Sequence, residues 1–172
     1  MNYFELFEIP VQLHVDKTTL KKRFFELSRK YHPDYFANAN AEEQSESLEK
    51  SAMLNKAWKT LQDKDETIKY VLQSKKLLEE EEKYQLPPSF LMEMLEINEQ
   101  LVDAKMEEDE EKIGNVQLAI SNWQEEIYNP VKNIVENYQE GTTSEKELLQ
   151  VKEYYYKKKY LERIKEQVNR KT

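Results

Sequence analysis

Leu20 to Phe36 reads LKKRFFELSRKYHPDYF, and this stretch decides the first half of the chain. Leu20, Phe24 and Leu27 recur at the i, i+4, i+7 spacing of one helical stripe, and Tyr31 continues it. Lys17, Lys21, Lys22, Arg23, Arg29 and Lys30 face only Asp16 and Glu26 within residues 16–31. The spacing predicts a helix packed on one side and basic on the other. Asp16 is placed to cap its start. Pro33 ends it, because the residue before a proline is pushed out of the α region. Residues 32–40, HPDYFANAN, then read as a loop of turn-forming residues.

Working outward, Asn2 to Phe7 is a short apolar opening that Pro10 closes, one or two helical turns long. Downstream, Asn40 with Glu43 resembles a capping box. It opens a helix whose expected apolar face is Leu48, Ala52, Leu54, Ala57, Trp58 and Leu61. Two such helices joined by a short loop pack as a hairpin. Asp65 is the expected start of a shorter helix carrying Ile68, Val71 and Leu72 toward Leu77 and Leu78. The run EEEEKYQLPPS (79–89) then breaks the periodicity, since adjacent glutamates repel and Pro87-Pro88 cannot continue a helix. The expected organisation is a domain over 1–76, a linker over 77–88 and a second domain over 89–172.

Three helices are expected in the second domain. One runs from Pro88 or Ser89 to about Glu107. Another runs from about Asp109 to Gln139 with Ile113, Val116, Ile120, Trp123, Ile127, Ile134 and Tyr138, and Pro130 kinks or interrupts it. Gly141 serves as a left-handed terminator, and Thr142 or Thr143 begins the last helix, to about Val168. Short joints make this an antiparallel three-helix bundle, so the fold class is all-α.

Composition agrees. Glycine occurs twice and proline five times in 172 residues, too few corners for a β-rich fold. Eleven Tyr, six Phe and two Trp separate it from a disordered acidic chain, despite a mean hydropathy of -0.94. The lack of cysteine excludes disulfides, thiolate nucleophiles and cysteine-held zinc or iron–sulfur clusters, and two histidines are too few for a multi-histidine metal site. Residues 1–75 balance at 12 basic against 12 acidic, whereas 76–113 hold 4 against 13. That acidic stretch repels nucleic acid. No apolar run approaches the roughly 20 residues that span a bilayer, and no signal or transit leader is visible. A soluble, cytoplasmic protein is expected, with no membrane or nucleic-acid partner.

The helix after Pro88 carries more apolar residues than one interface needs. Phe90, Met94, Ile97 and Leu101 make a core stripe, which leaves Leu91, Met92 and Leu95 on an adjoining face continued by Glu96, Glu99 and Asp103. Spacing alone leaves two readings open: a partner surface with an acidic border, or a central helix buried on two sides. Catalysis finds no support. His32 and Asp34 are expected to point apart across Pro33, with no nucleophile or glycine-rich phosphate loop beside them. The carboxylates of 79–82 and 107–111 read as solvated charge runs, and His14 as a plain surface or loop histidine. No enzyme activity is expected.

The tripeptide His32-Pro33-Asp34, framed by YFELFEIP (3–10), by LKKRFFELSRKYHPDYF and by LNKAWKTL (54–61), resembles the J domain, which stimulates ATP hydrolysis by DnaK-type chaperones. SFLMEMLEINEQLVD (89–103) looks like the first helix of the C-terminal domain of HscB-type co-chaperones of iron–sulfur cluster assembly, and YLERI (160–164) fits that family's last helix. The resemblance covers nearly the whole chain and is weakest through 104–155.

It implies that Lys21, Lys22, Arg23, Arg29 and Lys30, with His32, Pro33 and Asp34, dock on the ATP state of a DnaK/HscA-type chaperone. It also implies that Leu91, Met92, Leu95, Glu96, Glu99 and Asp103 bind an IscU-type cluster scaffold, joined by Tyr160 or, one turn earlier, Tyr156. The family often has lysine after the HPD motif. Tyr35 stands there, which bears on docking strength. The implied function is to deliver the scaffold to the chaperone while triggering hydrolysis, without cofactor or metal. Two alternatives are a J-domain adaptor for a different client and a purely structural helical protein. Replacing His32 by Gln separates the last from the others, and replacing Leu91 and Leu95 by Ser separates the first two.

Overall fold

The computed structural model describes residues 2–170, so the outermost ends of the expected domains, Met1 and Lys171–Thr172, lie outside the described residues. The described chain is built from helices: α1 (Tyr3–Phe7), α2 (Lys17–Lys30), α3 (Ala41–Leu61), α4 (Lys64–Ser74), α5 (Pro88–Met106), α6 (Glu110–Tyr128), α7 (Lys132–Glu136) and α8 (Glu145–Asn169), with a 3₁₀ turn at Pro33–Phe36. They form two compact units. Of the described residues, one holds 2–76 with the return segment 135–143, and the other holds 77–134 with 144–170.

In the first unit, α2 and α3 form the expected hairpin. Leu20 and Leu27 are buried, and Phe24 lays its ring 4.6 Å from that of Trp58. Asp16 caps α2, accepting from the Thr19 N–H at 3.0 Å and the Thr19 hydroxyl at 2.8 Å. These bonds hold its carboxyl below the usual carboxylate range. α1 starts in a reciprocal capping box between Asn2 and Glu5 and ends on a left-handed Glu8, ahead of Pro10. Tyr3 stacks on Tyr70 at 4.4 Å and donates its N–H to that hydroxyl at 2.9 Å, tying α1 to α4.

Four details depart from the sequence expectation. In α3 the buried row is Ser47, Leu54, Ala57 and Leu61, while Leu48 and Ala52 are exposed. Counting back in sevens from Leu61 through Leu54 reaches Ser47, and Leu48 lies a further 100° round the helix. The Asn40 carboxamide accepts from the Glu43 N–H at 2.8 Å, which is half of the expected box. α4 is capped by Asp63 rather than Asp65, with Asp63 accepting the N–H groups of Asp65 and Glu66 at 2.9 Å. Its chain leaves the helix at Ser74, so Leu77 and Leu78 lie beyond it.

In the second unit α5, α6 and α8 pack on one another as an up-down-up bundle. Phe90, Met94, Ile97 and Leu101 are buried as the spacing predicts, together with Ala104. α6 contributes Val116, Ile120 and Ile127 and stops at Tyr128, two residues before Pro130. Gly141 takes the left-handed backbone at φ 83°. The last helix, however, is capped by Ser144 and not by either threonine. Ser144 and Glu147 exchange side-chain-to-backbone bonds at 3.1 Å, while both threonine N–H groups turn back to the Gln139 carbonyl. A Ser-x-x-Glu box satisfies two orphan donors at once. Thr142 has Glu145 at the same spacing, but the turn around Gly141 ties its N–H to the Gln139 carbonyl and leaves Ser144 to start the helix. Ser144→Ala is expected to cost about 1 kcal/mol, read as a lower urea midpoint at unchanged slope.

Candidate binding surfaces

His32 is the first residue of the candidate site in the first unit. Tyr31 closes α2 and Pro33 starts the 3₁₀ turn, so His32 sits in extended backbone between them. Its Nδ1 accepts the Asp34 N–H at 3.2 Å and lies 3.5 Å from Asp34 Oδ2. The expectation that the two side chains point apart is overturned. A 3₁₀ turn brings residue i+2 back over its cap, where an extended X-Pro step would carry it away. An accepting Nδ1 places the proton of the neutral ring on Nε2. The Asp34 side chain is 90% exposed, and Tyr35 presents its ring edge-on to His32 at 6.3 Å. The backbone is fixed by Pro33 and by the Tyr35 N–H bond to the His32 carbonyl at 3.0 Å. The motif is rigid in backbone and open in its side chains.

The basic face of α2 divides in two. Lys21, Lys22 and Arg29 are exposed, Lys22 and Arg29 on the side opposite Leu20 and Leu27 and Lys21 about 110° round from them. Arg23 lies on a flank, with its guanidinium 3.5 Å from Glu8 and 3.7 Å from Glu26. Lys30 covers the Tyr31 ring at 5.3 Å, and Lys50 covers the same ring at 5.0 Å. Ser28, Arg29, His32, Asp34 and Tyr35 line a shallow open depression. Lys17, Thr18, Lys21, Lys22 and Phe25 line a second.

In the second unit, α5 turns Leu91, Met92, Leu95, Glu96, Glu99 and Asp103 outward, at 37%, 71% and 57% exposure for the three apolar side chains. All six lie on the half of the helix opposite the Phe90–Ala104 core stripe. Of the two readings that spacing left open, the central helix buried on both sides does not describe this unit. The exposed apolar row also continues through Val102 and Met106, which the sequence reading passed over. The 3-4-3-4 recurrence of 92, 95, 99, 102 and 106 is the signal that finds them.

Tyr160 and Tyr156 differ in what they touch. Tyr160 is half-buried and sets its ring edge-on to Phe90 at 6.2 Å, next to Leu91 in sequence. Tyr156 stacks flat on Tyr84 at 4.6 Å. Beside it the Glu82 carboxylate takes the Lys152 ammonium at 2.9 Å and 2.8 Å from its two oxygens. Glu82, read as one of four solvated glutamates, is thus turned inward, because Lys152 offers it a partner 70 residues on. Burial first, and then the Glu82 charge, push the Tyr156 hydroxyl up to about 12. A phenol whose folded pKa exceeds its ordinary value of 10.0 adds stability that is full below pH 10 and is lost as the pH rises through 12. Tyr156→Phe, which keeps the stacked ring, is expected to flatten this alkaline loss in thermal melts collected from pH 9 to 12.

Among the described residues no group of three or more His, Cys, Asp or Glu is placed to hold a metal ion. No helix there is long and apolar enough to cross a membrane.

Comparison with known proteins places both halves. Residues 2–70 match the family described as the DnaJ domain, and residues 86–169 match the HSCB C-terminal oligomerisation domain. The chain is 37% identical over 112 residues to the "Co-chaperone protein HscB homolog" of Photobacterium profundum, covering 64% of this chain and 66% of that protein. It is 35% identical over 102 residues to a protein of the same description from Vibrio cholerae serotype O1, covering 59% and 60%. The matched stretches span just under two thirds of these relatives. Among solved structures, the chaperone HscB from Vibrio cholerae superposes with a TM-score of 0.73 at 25% identity, over 98% of this chain and 95% of that one. The crystal structure of human co-chaperone protein HscB gives 0.77 at 27%, over 98% and 80%.

Proposed function

The chain belongs to the HscB-type family of J-domain co-chaperones, and on that premise we propose that it couples an iron–sulfur cluster scaffold to a DnaK/HscA-type chaperone. The J domain docks through Lys21, Lys22, Arg29 and the His32-Pro33-Asp34 turn on the chaperone's ATP state and stimulates hydrolysis. Arg23 and Lys30 contribute from the flanks. The α5 face of Leu91, Met92, Leu95, Glu96, Glu99 and Asp103, with Tyr160, binds an IscU-type scaffold. No bond is broken by this chain, which supplies orientation and encounter. Held on one molecule, two weak contacts raise each other's effective concentration. Its setting is the cytoplasm.

The observation that carries the reading is the exposed pairing of His32 with Asp34 at the end of a helix whose outer side is basic. Complementary charge of this kind speeds encounter and fixes register, and weakens with salt. The test is isothermal titration of the full chain with an IscU-type scaffold protein and, separately, with an ATP-loaded DnaK-type chaperone. Saturable one-to-one binding to both, with only the chaperone arm lost on replacing Asp34 by Asn, supports the reading. Failure to bind the scaffold leaves the J domain with a different client.

A further inference from the structure

Phe25 is half exposed, at 53%, although it sits in the middle of the most basic helix of the chain. On the helical wheel it lies opposite Leu20 and Leu27, with Lys21 and Lys22 one turn before it and Arg29 one turn after. Its ring makes an edge contact with Phe24 at 6.0 Å, and the Lys21 ammonium lies 6.0 Å from its centroid. The shallow depression of Lys17, Thr18, Lys21, Lys22 and Phe25 and that of Ser28, Arg29, His32, Asp34 and Tyr35 follow one another along α2. The only carboxylate within α2, that of Glu26, is turned to the flank, where Arg23 holds it.

A solvated basic helix has no use for a phenyl ring at the centre of its charged side. Exposing it leaves apolar area in water, at about 25 cal/mol for each Å². An interface does use one. The central side chain of a recognition patch is characteristically aromatic, desolvated and ringed by polar groups that exclude water. Phe25 has that surround in three cations.

We propose that Phe25 is the apolar anchor of the chaperone-docking face, and that the partner surface it meets is acidic with an apolar recess at its centre. This rests on the function proposed above and adds a specificity-determining residue to it. The cations supply long-range attraction that salt screens. The ring supplies short-range burial that salt does not weaken, so contact persists at ionic strengths where charge alone would fail.

The experiment measures the concentration of the chain that half-maximally stimulates a DnaK-type ATPase, from 50 to 500 mM KCl. Phe25→Ala is expected to raise it about tenfold, the loss of roughly 1.4 kcal/mol, by the same factor at every salt concentration. Lys21→Ala with Lys22→Ala is expected to act mainly at low salt. Phe25→Lys gives the sign. It adds a cation, so a face that docks by charge alone binds more tightly, whereas an anchored face binds more weakly. Phe25→Leu, still apolar, is expected to stay within about threefold of the natural chain. Thermal melts of each variant establish folding. Tighter binding by Phe25→Lys, or an unchanged value for Phe25→Ala in folded protein, overturns the proposal while leaving the J-domain reading intact. No stimulation by the natural chain overturns that reading itself. Loss of binding to phosphatidylserine vesicles with unchanged ATPase stimulation assigns the ring to a membrane and also overturns it.

Discussion

His32→Gln is expected to abolish stimulation of the chaperone ATPase while the protein stays folded. Half of the His32 side chain is exposed, and its hydrogen bond to the Asp34 N–H is local. Its removal costs at most about 1 kcal/mol, as for a surface cap. What disappears is a planar ring with a proton on Nε2, held beside the exposed Asp34 carboxylate. Truncating a central contact of an interface costs about 2 kcal/mol or more, which is about thirtyfold in affinity. The rate at fixed concentration should then fall to the basal value. Scaffold binding, which we propose for the other unit, should be unchanged. Steady-state ATP turnover, paired with a thermal melt, checks both halves of this expectation. A folded variant that stimulates within threefold of the natural chain would remove His32 from the docking contact.

The second large effect is expected from Met92→Ser combined with Leu95→Ser. These two side chains are mostly in water, whereas Leu91, at 37%, is partly built into its surroundings. The pair therefore tests the surface without opening the core stripe of Phe90, Met94 and Ile97. Surface changes of this kind usually stay within about 0.5 kcal/mol of the original stability. Losing the burial of two apolar side chains at about 1.5 kcal/mol each lowers scaffold affinity roughly a hundredfold. Calorimetric titration reads it, with chaperone stimulation in the absence of scaffold as the unchanged control. Affinity within threefold of the original would move the scaffold site off this face. Val102 and Met106 continue the same row, so Met106→Ser is a useful third position, placed two turns or more from the pair.

Local pattern carried much of this fold. Leu20, Phe24 and Leu27 marked the packed side of α2, and Phe90 to Leu101 marked that of α5, because a 3.6-residue period survives any tertiary arrangement. Pro130 marked the end of α6 within two residues. Pattern failed where the deciding partner is distant or where two residues of one type compete. Lys152 draws Glu82 out of a glutamate run from 70 residues away, and Lys75 meets Glu140 at 2.6 Å across 65. No local spacing announces either pair. Asp63 and Asp65 are both sound caps, as are Thr142, Thr143 and Ser144, and only the direction of the approaching chain chooses among them. Leu48 matches the apolar face of α3 by residue type but not by position, since counting back from Leu61 through Leu54 reaches Ser47 and leaves Leu48 exposed.

The candidate surfaces were legible in part for the same reason. Spacing isolated Leu91, Met92 and Leu95 as surplus but could not say whether a second neighbour covered them, since burial is a property of the assembled bundle. Their exposure answers that. His32 and Asp34 were recognised as a motif, yet their side-by-side geometry depends on a 3₁₀ turn that Pro33 permits but does not dictate. Phe25 stands one residue from Phe24, which packs on Trp58, and a step of 100° is what separates a packed ring from a presented one.

The most direct test is a single-turnover measurement of ATP hydrolysis by a preformed DnaK-type chaperone–ATP complex. The chain and an IscU-type scaffold protein are added singly and then together. Acceleration by the chain alone is expected, and a larger acceleration by both than the product of their separate effects. Acceleration by both that equals the separate effects would break the coupling of scaffold to chaperone. No acceleration by folded protein would contradict the co-chaperone function at its centre.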